Sequence, residues 1–538
     1  MNDAFAYDVV EYPSYIHPQM HPSRLAALAR LHGIAAASPR QCHLLEVGCG
    51  DGLQLLTLAQ AYPESQFVGV DLSASAIARG EAMRASLGLE NLQLVAADLR
   101  EWNPGPRPYD YVLAHGFYSW VPGFVRERLL ALCGQSLAAA GVAYISFNAL
   151  PGCHIRKMLA QMMKFEVGGI PDPGQRLAAA SGFLQYLRDG TPGDGRYAEL
   201  LRGEATELLG RTEPSVVFHD DLADVNDAFL ITDFVAQAAP HGLAFLAEAD
   251  YSEMSIHGAS ESARSRLQEL EGVDPLLKEQ HLDFLKGRRF RQTLLRRAEA
   301  AFQPAPLREA VLAMEAVGQI RAEVADGGEA DMQAGVSVRF AGPEGAALRV
   351  DHPAAKAALV AMGSSFPLPL HATELLALAR QACASQAPIE DDAEALMQVL
   401  VAGFQMGLLI LHVDAPRFSA RADECPLSSA LARLQIEAGQ DVVASLRPSM
   451  VRLDNRLALE LARLLDGKRN RDTILHDLAL RMSKLPVPGD DGEQGVKSEA
   501  WWRQVLAPQL AEGLQQMARM GLLVETEVAR GPSDQRTT

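Results

Sequence analysis

The chain has 538 residues, a length that predicts two to four domains. It is 48% hydrophobic and 22% charged, which is typical of a globular protein with large buried cores. Its net charge is 49 − 67 = −18, whereas a surface that grips nucleic-acid phosphates needs an excess of basic residues, so we expect no nucleic-acid partner.

From residue 41 to about 155, apolar runs alternate with segments of helical periodicity. Parallel strands joined by crossover helices give this alternation, so the segment predicts an α/β fold with a Rossmann-like, doubly wound sheet. The predicted strands cover 43–48, 66–72, 92–99, 109–116 and 142–147, and the predicted helices cover 53–62, 74–88 and 125–141.

Ligands of such sheets bind at the carboxyl ends of the strands, and the first predicted strand runs into the sequence "EVGCGDG" at 46–52. Glycine lets the backbone adopt positive φ and approach a ligand closely. The turn does not match the dinucleotide pattern G-x-G-x-x-G, because position 53 is leucine. Its candidate cofactor-binding residues are Glu46, Gly48, Cys49, Gly50 and Gly52.

The next two strands each end in an aspartate followed by a leucine. Asp71 and Leu72 end the second strand, 71 − 52 = 19 residues after the last glycine, where a carboxylate can accept hydrogen bonds from a ribose diol. Asp98 and Leu99 end the third strand and suit an adenine amino group and ring. The ordered set predicts S-adenosylmethionine (SAM) as cofactor; a nicotinamide cofactor, or solvated strand ends without a ligand, are the alternatives.

Beyond this set, five longer stretches carry a family resemblance. The chain resembles the bacterial class I methyltransferases with a methyltransferase regulatory domain, a group that includes the lysine methyltransferases of rickettsial outer-membrane proteins. One departure is Asp221, at a position where the family often has an aromatic residue. The stretches are "YPSYIHPQMHPSRLAALARLHG" (12–33), "HGFYSWVPGFVRERLLALC" (115–133), "GVAYISFNALPGCHIRKML" (141–159), "VFHDDLADVNDAFLITDFVAQAAPHGLAFLAEAD" (217–250) and "HLDFLKGRRFRQTLLRR" (281–297).

The resemblance implies that the sheet is completed late in the chain, by a helix over 228–242, a strand over 243–249 and an antiparallel strand over 289–296. It also implies that the helical insertion forms a lid, a homodimer contact, or both. The expected divisions are an N-terminal cap (1–40), the first part of the SAM-binding core (41–154), the insertion (155–213), the completing core (214–300), a middle or regulatory domain (301–420) and a winged-helix-like domain (421–538).

In the C-terminal half, 305–335 predicts a linker helix with an acidic turn, and 336–362 predicts a hairpin followed by a helix. A weak repeat places Gly407 and Gly521 in similar helix-to-strand transitions, which suggests two winged-helix-like α+β units. Such units often bind DNA. The acidic chain and the absence of a basic recognition helix favour protein–protein or substrate docking instead.

Methyl transfer to a lysine requires a neutral amine, so a nearby polar side chain must orient it or take its proton. The candidates are His115, Tyr118, Asn148, His219 and Asp220, and for each of them a structural role is the alternative. His115 is also a candidate for the methionine end of the cofactor site, while Tyr12 and Tyr15 either close over SAM or fasten the N-terminal segment.

Three functions remain open from the sequence. The first is a protein lysine N-methyltransferase acting on bacterial surface or outer-membrane proteins, since large accessory domains suit a macromolecular substrate. The second is a small-molecule methyltransferase, and the third is a SAM-binding regulatory protein without turnover.

Cysteine usage and hydropathy suggest the compartment. The six cysteines form no CxxC pair and no cluster with zinc-ligand spacing, so we expect reduced thiols, no metal and a cytoplasmic protein. Residues 1–20 lack the basic and apolar regions of a signal peptide, and no run of 18 apolar residues occurs. We therefore expect no membrane insertion.

Overall fold

The structure is a computed structural model that describes residues 10–211, 214–300, 307–324, 328–488 and 494–525. Its N-terminal half is built on one mixed sheet, with strand order β3-β2-β1-β4-β5-β8-β7, while the short β6 pairs with the end of β5. The strands are His43–Val47 (β1), Gln66–Asp71 (β2), Leu92–Ala96 (β3), Tyr109–Ala114 (β4), Leu137–Ala149 (β5), Ala228–Phe229 (β6), Leu243–Glu248 (β7) and Phe290–Arg297 (β8).

The first five strands run parallel, as predicted, and β8 lies antiparallel between β5 and β7. All five residues of β1 are buried, because helices cover both faces of this central strand. The helices of this half up to the insertion are Pro22–Leu31 (α1), Leu53–Ala61 (α2), Ala74–Leu87 (α3) and Gly123–Ser136 (α4).

Helix α3 shows how local sequence sets the element bounds. The Ser73 hydroxyl accepts a hydrogen bond from the Ala76 backbone N–H at 3.1 Å, which caps the first turn. Gly88 then ends the helix in the left-handed conformation at φ 65°. Both residues are the start and stop signals that the sequence predicts.

Two predicted helix bounds are wrong. Helix α4 ends at Ser136 and not at 141, because Leu137 already pairs with Tyr109 of β4 and begins the long strand β5. The segment predicted as a helix over 228–242 begins as a strand, since Ala228 and Phe229 pair with the end of β5, and its helix starts only at Ile231.

The helical insertion lies between β5 and β6 and carries its own apolar core. Asp172 caps the second insertion helix by accepting from the Gln175 N–H at 2.8 Å. The helices from the insertion to β8 are Cys153–Val167 (α5), Pro173–Gly190 (α6), Arg196–Leu209 (α7), Pro214–Asp220 (α8), Ile231–Ala238 (α9), Glu261–Val273 (α10) and Pro275–Lys286 (α11).

The middle of the chain folds against the sheet domain. The predicted linker over 305–335 contains a strand, Glu315–Val317 (β9), which is the centre of a three-stranded sheet; residues 305, 306 and 325–327 of that prediction lie outside the described residues. The predicted hairpin and helix over 336–362 are confirmed. The remaining elements here are Leu307–Leu312 (α12), Arg321–Glu323 (β10), Val338–Ala341 (β11), Ala347–Val350 (β12), Pro353–Ser365 (α13), Leu370–His371 (β13), Ala372–Ala382 (α14), Ile389–Gln405 (α15) and Ile410–His412 (β14).

The last segment has a separate apolar core. Gly407 and Gly521 both take φ 72°, each directly after a helix, so the repeat seen in the sequence reflects a shared left-handed helix stop. The prediction that a strand continues to residue 528 extends outside the described residues. The elements are Ala430–Glu437 (α16), Val442–Ala444 (β15), Met450–Arg452 (β16), Arg456–Leu464 (α17), Arg471–Met482 (α18), Val487–Pro488 (β17), Gln494–Gly495 (β18), Glu499–Leu506 (α19) and Leu510–Arg519 (α20).

In the part of the chain that the structure describes, no helix combines the length and the apolar character needed to cross a membrane.

Candidate active site

A cavity of about 680 Å³ opens at the carboxyl ends of the parallel strands. One end is formed by the glycine-rich turn after β1 and the residues after β2 and β3. The other end is formed by Asn148 at the end of β5, by helix α5 and by the residues around Asp220. The cavity therefore joins the predicted cofactor site to the insertion without a break.

The glycine-rich turn uses all three of its glycines in the left-handed region, at φ 72° for Gly48, 57° for Gly50 and 73° for Gly52. The Gly48 N–H donates to the Val70 carbonyl at 2.8 Å. A Cβ at Gly48 would lie 2.7 Å from the Phe117 ring, while a Cβ at Gly50 would meet nothing within 4 Å. The backbone at Gly50 is thus open to the cavity, as close approach by a cofactor requires.

Asp71 fixes the turn from the neighbouring strand. Its carboxylate accepts a hydrogen bond from the Gly50 N–H at 2.8 Å and another from the Ser73 N–H at 2.8 Å. A carboxylate has about four acceptor positions, so these two bonds are compatible with a ribose diol. Leu72, beside it, is half exposed and lines the same cavity.

Asp98 lies at the rim of the cavity, where the Arg100 guanidinium pairs with its carboxylate and lowers its pKa. Leu99 is buried beneath it and presents an apolar wall to the cavity. An acid at the rim and an apolar side chain below match the predicted adenine position.

Glu46 is the buried carboxyl of the cofactor end. Its Oε2 atom has no hydrogen-bond partner, and burial raises its pKa to about 8, with smaller contributions from Asp51 and Asp71. A buried carboxyl without a hydrogen-bond partner is stabilised when a cationic group binds to it. The ammonium at the methionine end of SAM is such a group. Burial also raises the pKa of the neighbouring Cys49 thiol well above its usual range, so Cys49 is a neutral wall residue.

His115 is covered by His17 of the N-terminal segment. The two rings stack with centroids 3.7 Å apart, and the His115 Nδ1 lies 2.8 Å from the Tyr144 hydroxyl. Burial lowers the pKa of His17 to about 4 and that of His115 well below its usual value, so both rings are neutral near pH 7. Sequence reasoning missed His17, because the segment around it has neither a helical nor a strand period.

At the other end of the cavity, hydrogen bonds link Asn148 to Asp220. The Asn148 Nδ2 donates to the Asn226 Oδ1 at 2.9 Å, and the Asn226 Nδ2 donates to the Asp220 carbonyl at 2.6 Å. No described residue donates to the Asn148 Oδ1. Asn148, Asn226 and Asp220 all line the cavity, and burial raises the pKa of Asp220 to about 6.

Two predicted residues do not reach this cavity. The Tyr118 ring is fully buried against Phe147 and Phe234, and its hydroxyl donates to the Gln237 side chain at 2.8 Å. The His219 Nε2 lies 2.7 Å from the Val10 carbonyl, so this ring ties helix α8 to the N-terminal segment. Neither is among the residues that line the cavity.

Three family models match separate parts of the sequence. One described as a methyltransferase domain matches residues 44–141, and one described as a predicted methyltransferase regulatory domain matches 213–297. A third, described as the C-terminal winged helix domain of PKMT, matches 424–522.

Among curated proteins, the chain is similar to uncharacterized proteins of Rickettsia prowazekii (strain Madrid E). It is 30% identical to RP028 over 238 residues, which is 43% of this chain and 93% of RP028. It is 33% identical to RP789 over 295 residues, which is 54% of this chain and 52% of RP789, so the match spans about half the length of that relative. A more distant relative is the trans-aconitate 2-methyltransferase of Deinococcus radiodurans, 28% identical over 190 residues, covering 34% of this chain and 67% of that enzyme.

The chain therefore belongs to the class I SAM-dependent methyltransferases that carry a methyltransferase regulatory domain. Its fold is shared over nearly the whole length with the solved structure of PKMT2 from Rickettsia typhi in complex with AdoHcy. That comparison has a TM-score of 0.82 at 24% identity and covers 96% of this chain and 100% of the other. The matched domains confirm the fold class predicted from the sequence, and SAM is the cofactor of this class.

Proposed function

We propose that the protein is a SAM-dependent protein lysine N-methyltransferase whose substrates are bacterial surface or outer-membrane proteins. The observation that supports this proposal is the single cavity that runs from the glycine-rich turn to the carboxylate of Asp220. The resemblance to the lysine methyltransferases of rickettsial outer-membrane proteins supports the substrate class.

The cofactor end supplies binding and orientation. SAM, when bound, supplies a methyl group on a positively charged sulfur. The Glu46 carboxyl would bind its ammonium, Asp71 its ribose, and the open backbone at Gly50 its methionine chain. Neutral His115, held by Tyr144 and covered by His17, closes this end against water.

The acceptor end must deliver a neutral amine. Deprotonating a lysine with pKa 10.4 at pH 7.5 costs about 4 kcal/mol. With its pKa at about 6, Asp220 is ionised at pH 7.5 and can accept the proton directly or through water. The Asn148 Nδ2 donates to Asn226, and this bond fixes the orientation of the Asn148 amide. The Asn148 Oδ1 can then accept a second N–H of the lysine amine and so orient the amine lone pair.

The test is to incubate the purified chain with methyl-labelled SAM and an extract of the source cells, and to resolve the products by size before and after protease. We expect label in discrete protein bands that protease removes, and methyl-lysine after acid hydrolysis. Asp71→Ala should abolish the label, whereas the matched variant Asp189→Ala, at an exposed carboxylate on the insertion, should not.

Label confined to small molecules would replace the lysine hypothesis with a small-molecule methyltransferase. No label despite SAM binding would favour a SAM-binding regulatory protein.

A further inference from the structure

The carboxylate at the acceptor end belongs to a cluster of two acids and two arginines. Asp220 and Asp221 are adjacent in the chain at the end of α8. Arg156 comes from the first insertion helix, α5, and Arg211 follows the third, α7. The cluster thus joins the insertion to the cavity.

The guanidinium of Arg156 lies closer to the carboxylate of Asp221 than to that of Asp220. Its Nε lies 2.7 Å and its Nη2 2.9 Å from the two carboxylate oxygens of Asp221, which makes a bidentate pair. The distance from the same Nη2 to the Asp220 carboxylate is 3.5 Å. The Arg211 Nη1 is also 3.5 Å from Asp220, so neither arginine binds Asp220 closely.

Burial follows the same division. Asp221 is fully buried and does not line the cavity, so it acts on the cavity through its bond to Arg156 and through its charge, which raises the pKa of Asp220. Asp220 and Arg156 both line the cavity and keep about a fifth of their side-chain surface exposed. Seen from the cavity, the Asp220 carboxylate is accessible beside Arg156, whereas the Asp221 carboxylate is buried away from the cavity.

We propose that Asp221 is a positioning residue that holds the Arg156 guanidinium away from Asp220 and so keeps Asp220 available to take the proton of the acceptor ammonium. This inference rests on the proposed function. In the step, the N–H bond of the ammonium breaks and an O–H bond forms on Asp220. The amine lone pair then forms the N–C bond as the S–C bond breaks, which leaves a neutral thioether.

A closer Arg156 would oppose this role. An arginine in direct contact typically lowers the pKa of an aspartate by about 1 to 3 units, which makes it a weaker base. The charged groups that face Asp220 are Arg156, Asp221 and Arg211. The Cys153 thiol lies beside Arg156 and Asp221, with Lys157 and Arg289 around it, and Lys164 interacts with Asp221. Removing the charge of Asp221 leaves Asp220 as the carboxylate nearest to Arg156.

The test is the pH profile of kcat/KM for the acceptor protein at saturating SAM, in the wild type, in Asp221→Asn and in the double variant Arg156→Gln/Asp221→Asn. We expect the acidic limb of Asp221→Asn to move to lower pH by about 1 unit or more, with a lower kcat and an unchanged KM for SAM. The double variant should move the limb back to the wild-type position or above it, because the loss of Arg156, which lowers the pKa of Asp220, outweighs the loss of Asp221, which raises it.

If the wild type and the variants share one acidic limb, Asp221 has no positioning role and the inference is wrong. If the single variant does not fold, as judged by thermal unfolding, Arg156→Lys decides instead, because it keeps both charges but cannot form the bidentate pair with Asp221. Its acidic limb should also move to lower pH, and a limb at the wild-type position would overturn the inference. An inactive wild type on every protein acceptor would instead overturn the proposed function, so the two failures are distinguishable.

Discussion

Glu46 is expected to strengthen cofactor binding and to lower the stability of the ligand-free protein. Its carboxyl is buried, and its Oε2 atom has no hydrogen-bond partner. We expect Glu46→Gln to weaken the binding of S-adenosylhomocysteine at least about tenfold, because a neutral amide cannot pair with the ammonium of the ligand. Isothermal titration calorimetry checks this change in affinity.

The same substitution should stabilise the ligand-free protein above pH 5. Because the pKa of Glu46 is raised to about 8 in the folded state, its contribution to stability is fully present below the unfolded pKa and is lost as pH rises through the folded value. Thermal unfolding at pH 5 and pH 8.5 should show a larger decline for the wild type than for Glu46→Gln. The exposed Glu90→Gln serves as control, and equal declines would contradict the expectation.

Asp220 is the residue that the proposed proton transfer depends on. We expect Asp220→Asn to lower kcat by about 10² or more, since asparagine keeps the shape but cannot accept the proton. The acidic limb of kcat/KM near pH 6 should disappear at the same time. Asp224→Asn, at an exposed position four residues after Asp220, should retain both the rate and the limb. A normal rate in Asp220→Asn would exclude Asp220 as the base.

Sequence reasoning at the residue scale located the residues after β1, β2 and β3 better than those after β4. A strand end and a glycine pattern define where Glu46 and Asp71 lie, because parallel strands share one edge. Tyr118, three residues beyond His115, points into the core, since the 3₁₀ turn Tyr118–Trp120 rotates it toward Phe147 and Phe234. No periodicity in the sequence reports the direction of a single turn.

Helix α3 packs so closely on the glycine-rich turn that Gly80 has no room for a methyl group. A Cβ at Gly80 would lie 2.1 Å from the Asp51 carbonyl oxygen, a backbone atom that cannot rotate away. We expect Gly80→Ala to destabilise the protein by about 1–3 kcal/mol and to weaken cofactor binding, because the turn must shift. Chemical denaturation and calorimetric titration measure the two effects.

The matched control for Gly80 is Gly182, in the interior of the insertion helix α6, where a Cβ would meet nothing within 4 Å. There we expect Gly182→Ala to stabilise the protein by about 0.5–1 kcal/mol, as an alanine does in an exposed helix. Helix propensity favours alanine at both positions, so destabilisation by both substitutions would show that the loss at Gly80 cannot be assigned to the contact with Asp51.

The elements that the sequence predicts well are those long enough to show a strand or helix period, or those that end at a clear stop signal. Strands β1 to β4 and the ends of α3 belong to this class. The segment 137–141 does not, because its alanines suit a helix while pairing of Leu137 with Tyr109, 28 positions earlier in the chain, makes it a strand. Strand β9 lies in a segment that predicts a linker, because three residues are too few to show a strand period.

At the scale of the whole molecule, the N-terminal segment connects the active site to the middle domain. From His17 over the cavity, the chain runs into α1, where the Ser23 hydroxyl lies 2.7 Å from the His412 Nδ1. The Ser23 carbonyl accepts from the Val413 N–H at 3.0 Å, and the Tyr62 hydroxyl donates to the Asp414 carbonyl at 2.8 Å. Buried apolar residues of the sheet, of α1 and of the middle domain form one continuous cluster.

Because the sheet and the middle domain share that cluster, we expect them to unfold as one unit. Binding of the reaction product S-adenosylhomocysteine should therefore stabilise both of them together. S-adenosylhomocysteine at 100 times its Kd adds about 2.7 kcal/mol to the unfolding free energy of any unit that includes its site. The slowest-exchanging amides of β1, β9 and β14 should then exchange about 100-fold more slowly in hydrogen-exchange mass spectrometry. Amides of α17, α18 and α20, which pack in the separate C-terminal core, should be unaffected. Protection of β1 without protection of β9 and β14 would contradict the shared unit, and it would mean that the contacts between Ser23 and His412 join two domains that open independently.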